Sequence, residues 1–136
     1  MNNTRFSTAV HILTLLADSN GEWLSSDWIA GSININAAMV RKELSVLQEV
    51  GLVVGRKGKE GGSSLNKPSN QITLAHIYRA VKNSEILGKK NKNPNPKCPI
   101  GKCINERLGE LFAETDLLVI DSLADKTLAD FVKQFH

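Results

Sequence analysis

Ile35-Asn36-Ala37-Ala38-Met39-Val40-Arg41-Lys42-Glu43-Leu44-Ser45-Val46-Leu47-Gln48-Glu49-Val50, followed by Gly51-Leu52-Val53-Val54-Gly55-Arg56-Lys57-Gly58-Lys59-Glu60-Gly61-Gly62, is the stretch on which the reading of this chain turns. In its first half Val40, Leu44, Leu47 and Val50 recur at helical spacing and are expected to face a core. Asn36, Met39, Arg41 and Lys42 fall towards the opposite side, near the helix start. Gly51 suits a left-handed cap at the helix end. Leu52 to Arg56 reads as a short strand, and Lys57 to Gly62 as a tip whose glycines allow positive φ and close backbone approach. Arg56, Lys57 and Lys59 give that tip positive charge. A polar-started amphipathic helix running into a basic hairpin is what a winged helix needs to read DNA, with the helix in the major groove and the tip along a phosphate backbone. The bland alternative is a solvated charged face on an ordinary soluble domain.

Working outward, Ser7 can cap a first helix through Leu16, with Ala9, Ile12, Leu13 and Leu16 as its apolar stripe and Asp18-Ser19-Asn20-Gly21 as its end. Ser25 or Ser26 starts a short second helix, Asp27 to Ala30, stopped by Gly31. A second wing strand is expected from Ser63 to Asn66, ended by Pro68. Leu74, Ile77, Tyr78 and Val81 then share one face of a further helix. Helix, short helix, turn, helix, strand, glycine tip, strand is the order of a winged helix-turn-helix domain, so the expected fold is mainly α with a small β wing. Asn83 to Lys102, dominated by Lys, Asn, Pro and Gly, reads as a mobile loop.

Helical spacing returns from Ile104 to Leu123, and Leu128 to Phe135 reads as a last short helix. The chain therefore divides into a winged helix-turn-helix domain over 1–82, a basic effector or sensor loop over 83–103, and a dimerisation helix with a C-terminal helix over 104–136. Ile104, Leu108, Leu111, Phe112 and Leu118 are the candidate dimer contacts, because two-fold operators call for two reading heads. The alternative is a long helix packed only on its own domain.

Composition is compatible with this reading. The 136 residues carry a net charge of +3 and are 41% hydrophobic, enough for one core without metals or disulfides. Charge is unevenly placed: Lys89 to Lys102 holds five lysines and no acid, whereas Ile104 to His136 holds three basic residues against seven acidic ones. No apolar run is long enough to span a membrane, and Met1-Asn2-Asn3-Thr4-Arg5-Phe6 has no signal-peptide core, so a cytoplasmic location is expected. There is no nucleotide loop leading into a helix, no Gly-x-Ser-x-Gly elbow, no His-Glu-x-x-His and no carboxylate and histidine cluster, which argues against an enzyme. A winged-helix module that binds protein instead of DNA is the remaining rival.

A resemblance sharpens the picture. Phe6-Ser7-Thr8-Ala9-Val10-His11-Ile12-Leu13, Ile35-Asn36 with Val40-Arg41-Lys42, Gly51-Leu52-Val53, Gly58 with Gly61-Gly62, and Leu65 with Lys67-Pro68 follow one another in a familiar order. Ile72-Thr73-Leu74 with Ile77-Tyr78-Arg79-Ala80-Val81, Cys98-Pro99-Ile100-Gly101 and Thr127-Leu128-Ala129-Asp130 complete it. Over nearly its whole length the chain resembles the Rrf2 family of small bacterial transcriptional regulators, whose members include an iron-sulphur-cluster regulator, a nitric-oxide-sensing repressor and a cysteine-metabolism repressor. The resemblance implies a homodimeric repressor on a partly palindromic DNA site, with a long helix exchanged or paired across the dimer. It also implies base-reading positions at Asn36, Ala38, Met39, Arg41 and Lys42 and wing contacts at Lys57, Gly58, Gly61 and Gly62. The chain departs from the family at Lys59-Glu60, where an acid precedes the glycines, and at Ser63-Ser64, where an aromatic often stands.

The same resemblance raises a cofactor question, since cluster-binding members use three cysteines in the loop before the long helix and one further ligand. This chain has only Cys98 and Cys103. A cluster wants four ligands, so each of two subunits would have to give both thiols. No cofactor is expected, with an iron-sulphur cluster as the alternative. Thiol oxidation is the other reading: Lys97 and Lys102 flank the pair and favour thiolate. In an uncoiled loop Cys103 could resolve an oxidised Cys98 as a disulfide, whereas a helix begun before Cys103 would hold the two apart. Cys98 as a mere turn-filler is the bland reading.

Overall fold

Residues 4–83 and 85–136 are described in a computed structural model. Met1-Asn2-Asn3, read above as leading straight into a helix, and Ser84, inside the expected loop, lie outside the described residues. The elements are α1 (Arg5–Asp18), α2 (Ser26–Ile33), α3 (Ala37–Glu49), the hairpin β1 (Val53–Arg56) and β2 (Gly62–Leu65), α4 (Leu74–Val81), α5 (Pro99–Ala124) and α6 (Leu128–Val132). Single 3-10 turns follow at Ser69–Gln71 and Lys133–Phe135. This is the expected mainly helical fold with a two-stranded wing.

The core forms around α1, which packs against α3, α4 and α6. Ile12, Leu13 and Leu16 of α1 meet Ile29, Val40, Leu47, Ile72, Ile77 and Leu128, all fully buried. Each such side chain contributes on the order of 1.5–3 kcal/mol by leaving water. The wing is antiparallel, with Val53 opposite Leu65 and Arg56 opposite Gly62. A third backbone segment joins it, because Leu24 exchanges both hydrogen bonds with Ser63, at 3.0 and 2.9 Å. That pairing explains Gly62: its φ is +147°, and a Cβ there would stand 2.5 Å from the Leu24 carbonyl oxygen.

Several boundaries differ from the expectation, each for a local reason. Helix α1 starts at Arg5, so Ser7 lies inside its first turn and caps nothing. Tertiary partners extend it: Arg5 reaches Glu43, and the Phe6 ring meets Tyr78 edge-on at 5.9 Å. Gly31 does not stop α2, which runs on to Ile33 and ends where Asn34 adopts a left-handed conformation, φ 64°, with its N–H donating to the Ala30 carbonyl. Val50 is not core; as the cap residue after α3 it turns outward and is 49% exposed. The expectation for the last helix holds only in part, since its end tightens into a 3-10 turn at Lys133.

The largest difference is at the long helix, which begins at Pro99, five residues before Ile104. Proline at the first helical position has no N–H to leave unpaired and arrives with helical φ. Cys98 is the extended N-cap residue, and its carbonyl accepts the first helical bond from Lys102 at 2.8 Å. Proline and glycine in this first turn concealed it, since both are common in loops.

The tail is tied back through backbone. Leu74 N–H donates to the Lys126 carbonyl and Leu128 N–H to the Ile72 carbonyl, both at 2.8 Å. Helix α5 is fastened to α4 by one buried carboxylate, Asp116. It accepts from the Tyr78 hydroxyl at 2.8 Å, from the Lys82 ammonium, and from the Ile86 N–H at 3.3 Å. Burial pushes this carboxyl up, but Lys82, Tyr78 and Ile86 outweigh burial and hold it below the usual carboxylate range. Tyr78 is pushed up to about 12, first by its own burial and then by Asp116.

Candidate nucleic-acid interface

Helix α3 owes its position to its buried side. Val40, Leu44 and Leu47 enter the core, and Glu43, only 5% exposed, lies on the same side. A buried carboxylate needs a partner, and Arg5 supplies one through a two-pronged contact, Nε to Oε2 and Nη2 to Oε1, each at 2.9 Å. The hydrogen bonds to Glu43 hold the guanidinium above its ordinary pKa. This clamp sets the start of α1 against the middle of α3. Sequence reasoning missed it, since 38 residues separate the two and neither belongs to a motif.

With that side anchored, the opposite side carries Ala38, Met39, Arg41 and Lys42, all exposed, and Met39 is 55% accessible. Asn36 has a structural task as well, as the N-cap: its Oδ1 accepts from the Ala38 N–H at 2.7 Å. Its side-chain amide N–H groups are the part that can address a base, as donors only.

The hairpin is locked to the C-terminal end of α3. Leu52 N–H donates to the Leu47 carbonyl at 3.0 Å, and the Asn66 side-chain amide donates to the Gly51 carbonyl at 2.9 Å. Gly51, at φ +84°, makes the turn between them. At the tip Lys57, Gly58 and Lys59 are exposed. Arg56 has another role: its guanidinium lies 4.5 Å from the centre of the Trp23 ring and donates to the Glu60 carbonyl at 2.6 Å. It stiffens the base of the wing and folds the loop back on itself. Gly61 is required there, since a Cβ would run into the Arg56 carbonyl oxygen.

The long helix presents two unlike sides. Phe112, Asp116 and Ile120 are buried against the same chain, so the expected dimer stripe divides. Phe112 belongs to the protomer; Leu111, Leu117 and Leu118 project outward at 49%, 57% and 67% exposure, and Ile104 and Leu108 are half-buried.

Cys98 and Cys103 are both exposed. The backbone N–H groups of Gly101 and Ile100, at the free end of α5, draw the Cys98 thiol below its ordinary value. Cys103 sits in the helix five residues on, a rise of about 7.5 Å with a turn of roughly 140°. That exceeds the ~7 Å between Cα atoms that a disulfide can bridge, so the two do not pair within one chain. Nor do they converge as metal ligands: among the described residues no group of three or more His, Cys, Asp or Glu could hold a metal ion. His76 is used in the cap of α4, and His11 faces Ser32.

Known proteins resemble this chain over nearly its whole length. Residues 2–134 match a family model described as Rrf2, iron-dependent transcriptional regulator. A Bacillus subtilis protein, YwnA, named as a candidate HTH-type transcriptional regulator, is 41% identical over 130 residues, covering 96% of each chain. A crystal structure described as that of a candidate DNA binding protein superposes with a TM-score of 0.74 at 35% identity, over 93% of this chain and 97% of that one. The fold is shared by CymR of B. subtilis, the global cysteine regulator, at a TM-score of 0.70 and 23% identity, over 98% and 97% of the two chains.

Proposed function

The chain belongs to the Rrf2 family of transcriptional regulators, and from that premise we propose a homodimeric repressor that reads a partly palindromic operator with Asn36, Ala38, Met39, Arg41 and Lys42. That it is a DNA-binding transcriptional regulator rests on its relatives; its residues and mode of action are this proposal. The observation that carries it is the two-sided build of α3. Its core side is clamped by Arg5–Glu43, its outer side leaves Arg41 and Lys42 exposed, and a basic, exposed wing tip follows the same helix. Lys57, Gly58 and Lys59 form the exposed tip, where the open space at Gly58 lets phosphate approach the backbone, and Gly61 and Gly62 hold the tip's base against the chain's own backbone. No catalytic step is part of this reading, and action on DNA sets it in the cytoplasm. No helix among the described residues is long and apolar enough to cross a membrane.

Two copies are needed because one α3 covers one half-site. Leu111 and Leu118, seven residues apart on the outer side of α5, are the apolar contacts offered to the second copy, with Ile104 and Leu108 flanking them. The basic segment over 83–103 is the sensory part, and Cys98 its reactive thiol. Selection of bound sequences from a random DNA pool tests the core of the proposal. A two-fold motif recovered by wild type and lost by Arg41→Ala with Lys42→Ala supports it; no motif from folded wild-type protein refutes it.

An iron-dependent mode is favoured by one finding, the description of the matching family model. It would require both thiols from each of two chains. Anaerobic purification with iron analysis decides: iron at a constant ratio to dimer, lost in Cys103→Ser, supports it, and iron-free protein with intact operator binding opposes it.

A further inference from the structure

Between the start of α1, the start of α3, α4, the segment after it and α5 lies a cavity of about 800 Å³. Phe6, Met39, Val81, Ile86, Val119 and Leu123 supply its apolar surface. A smaller cavity of about 380 Å³ adjoins it, sharing Lys82, Asn83, Glu85, Gly88 and Lys89 and adding Lys90 and Phe112. The joint cleft is thus apolar at one end and cationic at the other, within the size range of sites for small organic ligands.

The charges at the mouth can be apportioned. Lys82 is committed to Asp116, and Arg5 to Glu43. Lys89 and Lys90 make no ion pair among the described residues, and Glu85 lines the same cleft. Two lysines against one glutamate leave a single excess positive charge. Lys90 is accommodated by Gly109 of α5, where a Cβ would stand 3.2 Å from its Nζ. Ile86, 50% exposed, and Met39 expose apolar surface that a ligand body would cover.

We propose that this cleft binds a small organic monoanion with an apolar body, an aryl- or branched-alkyl carboxylate, whose carboxylate meets Lys89 and Lys90 and whose body lies against Ile86, Phe6 and Val119. The outward leucines of α5, Leu111 and Leu118, are on the side away from Phe112 and Asp116, so the ligand and a second copy do not compete for one surface. The regulatory consequence rests on the DNA-reading proposal above. Met39 belongs to α3 and Val119 to α5, so a bound carboxylate spans the reading helix and the helix offered for dimerisation. It changes operator affinity by favouring one arrangement of the two.

The test uses the full chain, with 3-phenylpropanoate and 4-methylpentanoate as probes and their primary amides as neutral controls. Titration calorimetry is expected to give saturable binding of an acid with a dissociation constant of about 1 mM or tighter, and binding of its amide roughly tenfold weaker. Lys89→Ala with Lys90→Ala weakens the acid about tenfold, and Ile86→Asp, which sets a carboxylate in the cleft, abolishes binding. Both variants retain wild-type affinity for operator DNA without ligand. The ligand shifts that affinity about fivefold or more. Equal binding of acid and amide, acid binding unchanged in either variant, or no saturation by about 20 mM overturns the site. So does conversion of a dimer to monomer by Ile86→Asp, which would assign the cleft to a second copy. Binding with no shift in operator affinity overturns the regulatory part alone. Failure of wild type to select any DNA, with carboxylate binding intact, counts against the DNA-reading proposal and leaves the site standing.

Discussion

Arg41 and Asn36 separate two ways in which a residue of α3 can matter. Arg41 is exposed and has no structural task among the described residues, so Arg41→Ala should leave the melting curve unchanged while costing about 1–3 kcal/mol at the operator and relaxing one base position, as loss of a two-pronged contact to guanine does. A loss of equal size on every sequence would make it a phosphate contact instead. Asn36 caps the helix, so Asn36→Ala should lower stability by about 1 kcal/mol as well as weaken binding, and Asn36→Ser should restore stability alone. Chemical denaturation read beside DNA titration distinguishes the two residues. Asp116 has a third kind of role, since it serves neither base nor phosphate. Asp116→Ala strands the Tyr78 hydroxyl and should cost about 1–3 kcal/mol in urea. Because the folded-state pKa of Asp116 is depressed, its stabilisation is present above the unfolded value of about 3.9 and is lost as pH falls through the lower folded value. Wild type and Asp116→Asn melts should therefore converge below about pH 4, and a gap that stays constant down to acid would sink the linkage.

At the scale of elements, the wing depends on two glycines for different reasons. Gly62 needs a positive φ and close approach to Leu24, whereas Gly61 needs only room beside the Arg56 carbonyl. Gly62→Ala should cost about 1–3 kcal/mol and weaken DNA binding through wing distortion. Lys57→Ala should instead leave stability unchanged and reduce affinity alike on all sequences, with the log–log salt slope shallower by about 1. A Lys57→Ala protein with an unaltered slope would remove the tip from the phosphate backbone. The early start of α5 likewise has a chemical consequence. Helix between Cys98 and Cys103 forbids their disulfide, so mild peroxide should oxidise Cys98 to a sulfenic acid, which an added small thiol converts to a mixed disulfide with loss of water, read by mass, with no intrachain bridge.

For the whole molecule, the decisive quantity is the distance between two reading helices, which a dimer sets. Leu118→Glu or Leu111→Glu puts charge on the outward side of α5, away from the protomer's own core, and should yield folded monomers by sedimentation, with operator affinity reduced because half-sites are then bound singly. A Leu111→Glu, Leu118→Glu protein that remains fully dimeric would relocate the interface. The groove beside α1, lined by Phe6, Val10, Leu15, Phe131 and Phe135, offers a second apolar surface to examine in that event.

Local pattern was enough to determine much of this protein. Helical spacing at Val40, Leu44 and Leu47, the glycine at Gly51 and the basic tip after Gly55 identify helix and wing, because each depends on neighbours within a few residues. The exposed side of α3 follows from the same periodicity. What tertiary structure alone decided are the contacts between distant residues: Arg5 with Glu43, Tyr78 and Lys82 with Asp116, Trp23 beneath Arg56, and Leu24 against Ser63. No periodicity marks these, since a buried charge is recognisable only once its partner is beside it. The start of α5 belongs with them, as a first turn that contains proline and glycine shares its composition with a loop and is distinguished by the backbone bond from Lys102 to Cys98. The inward turn of Phe112 is decided last of all, by the side of a long helix that the rest of the fold covers.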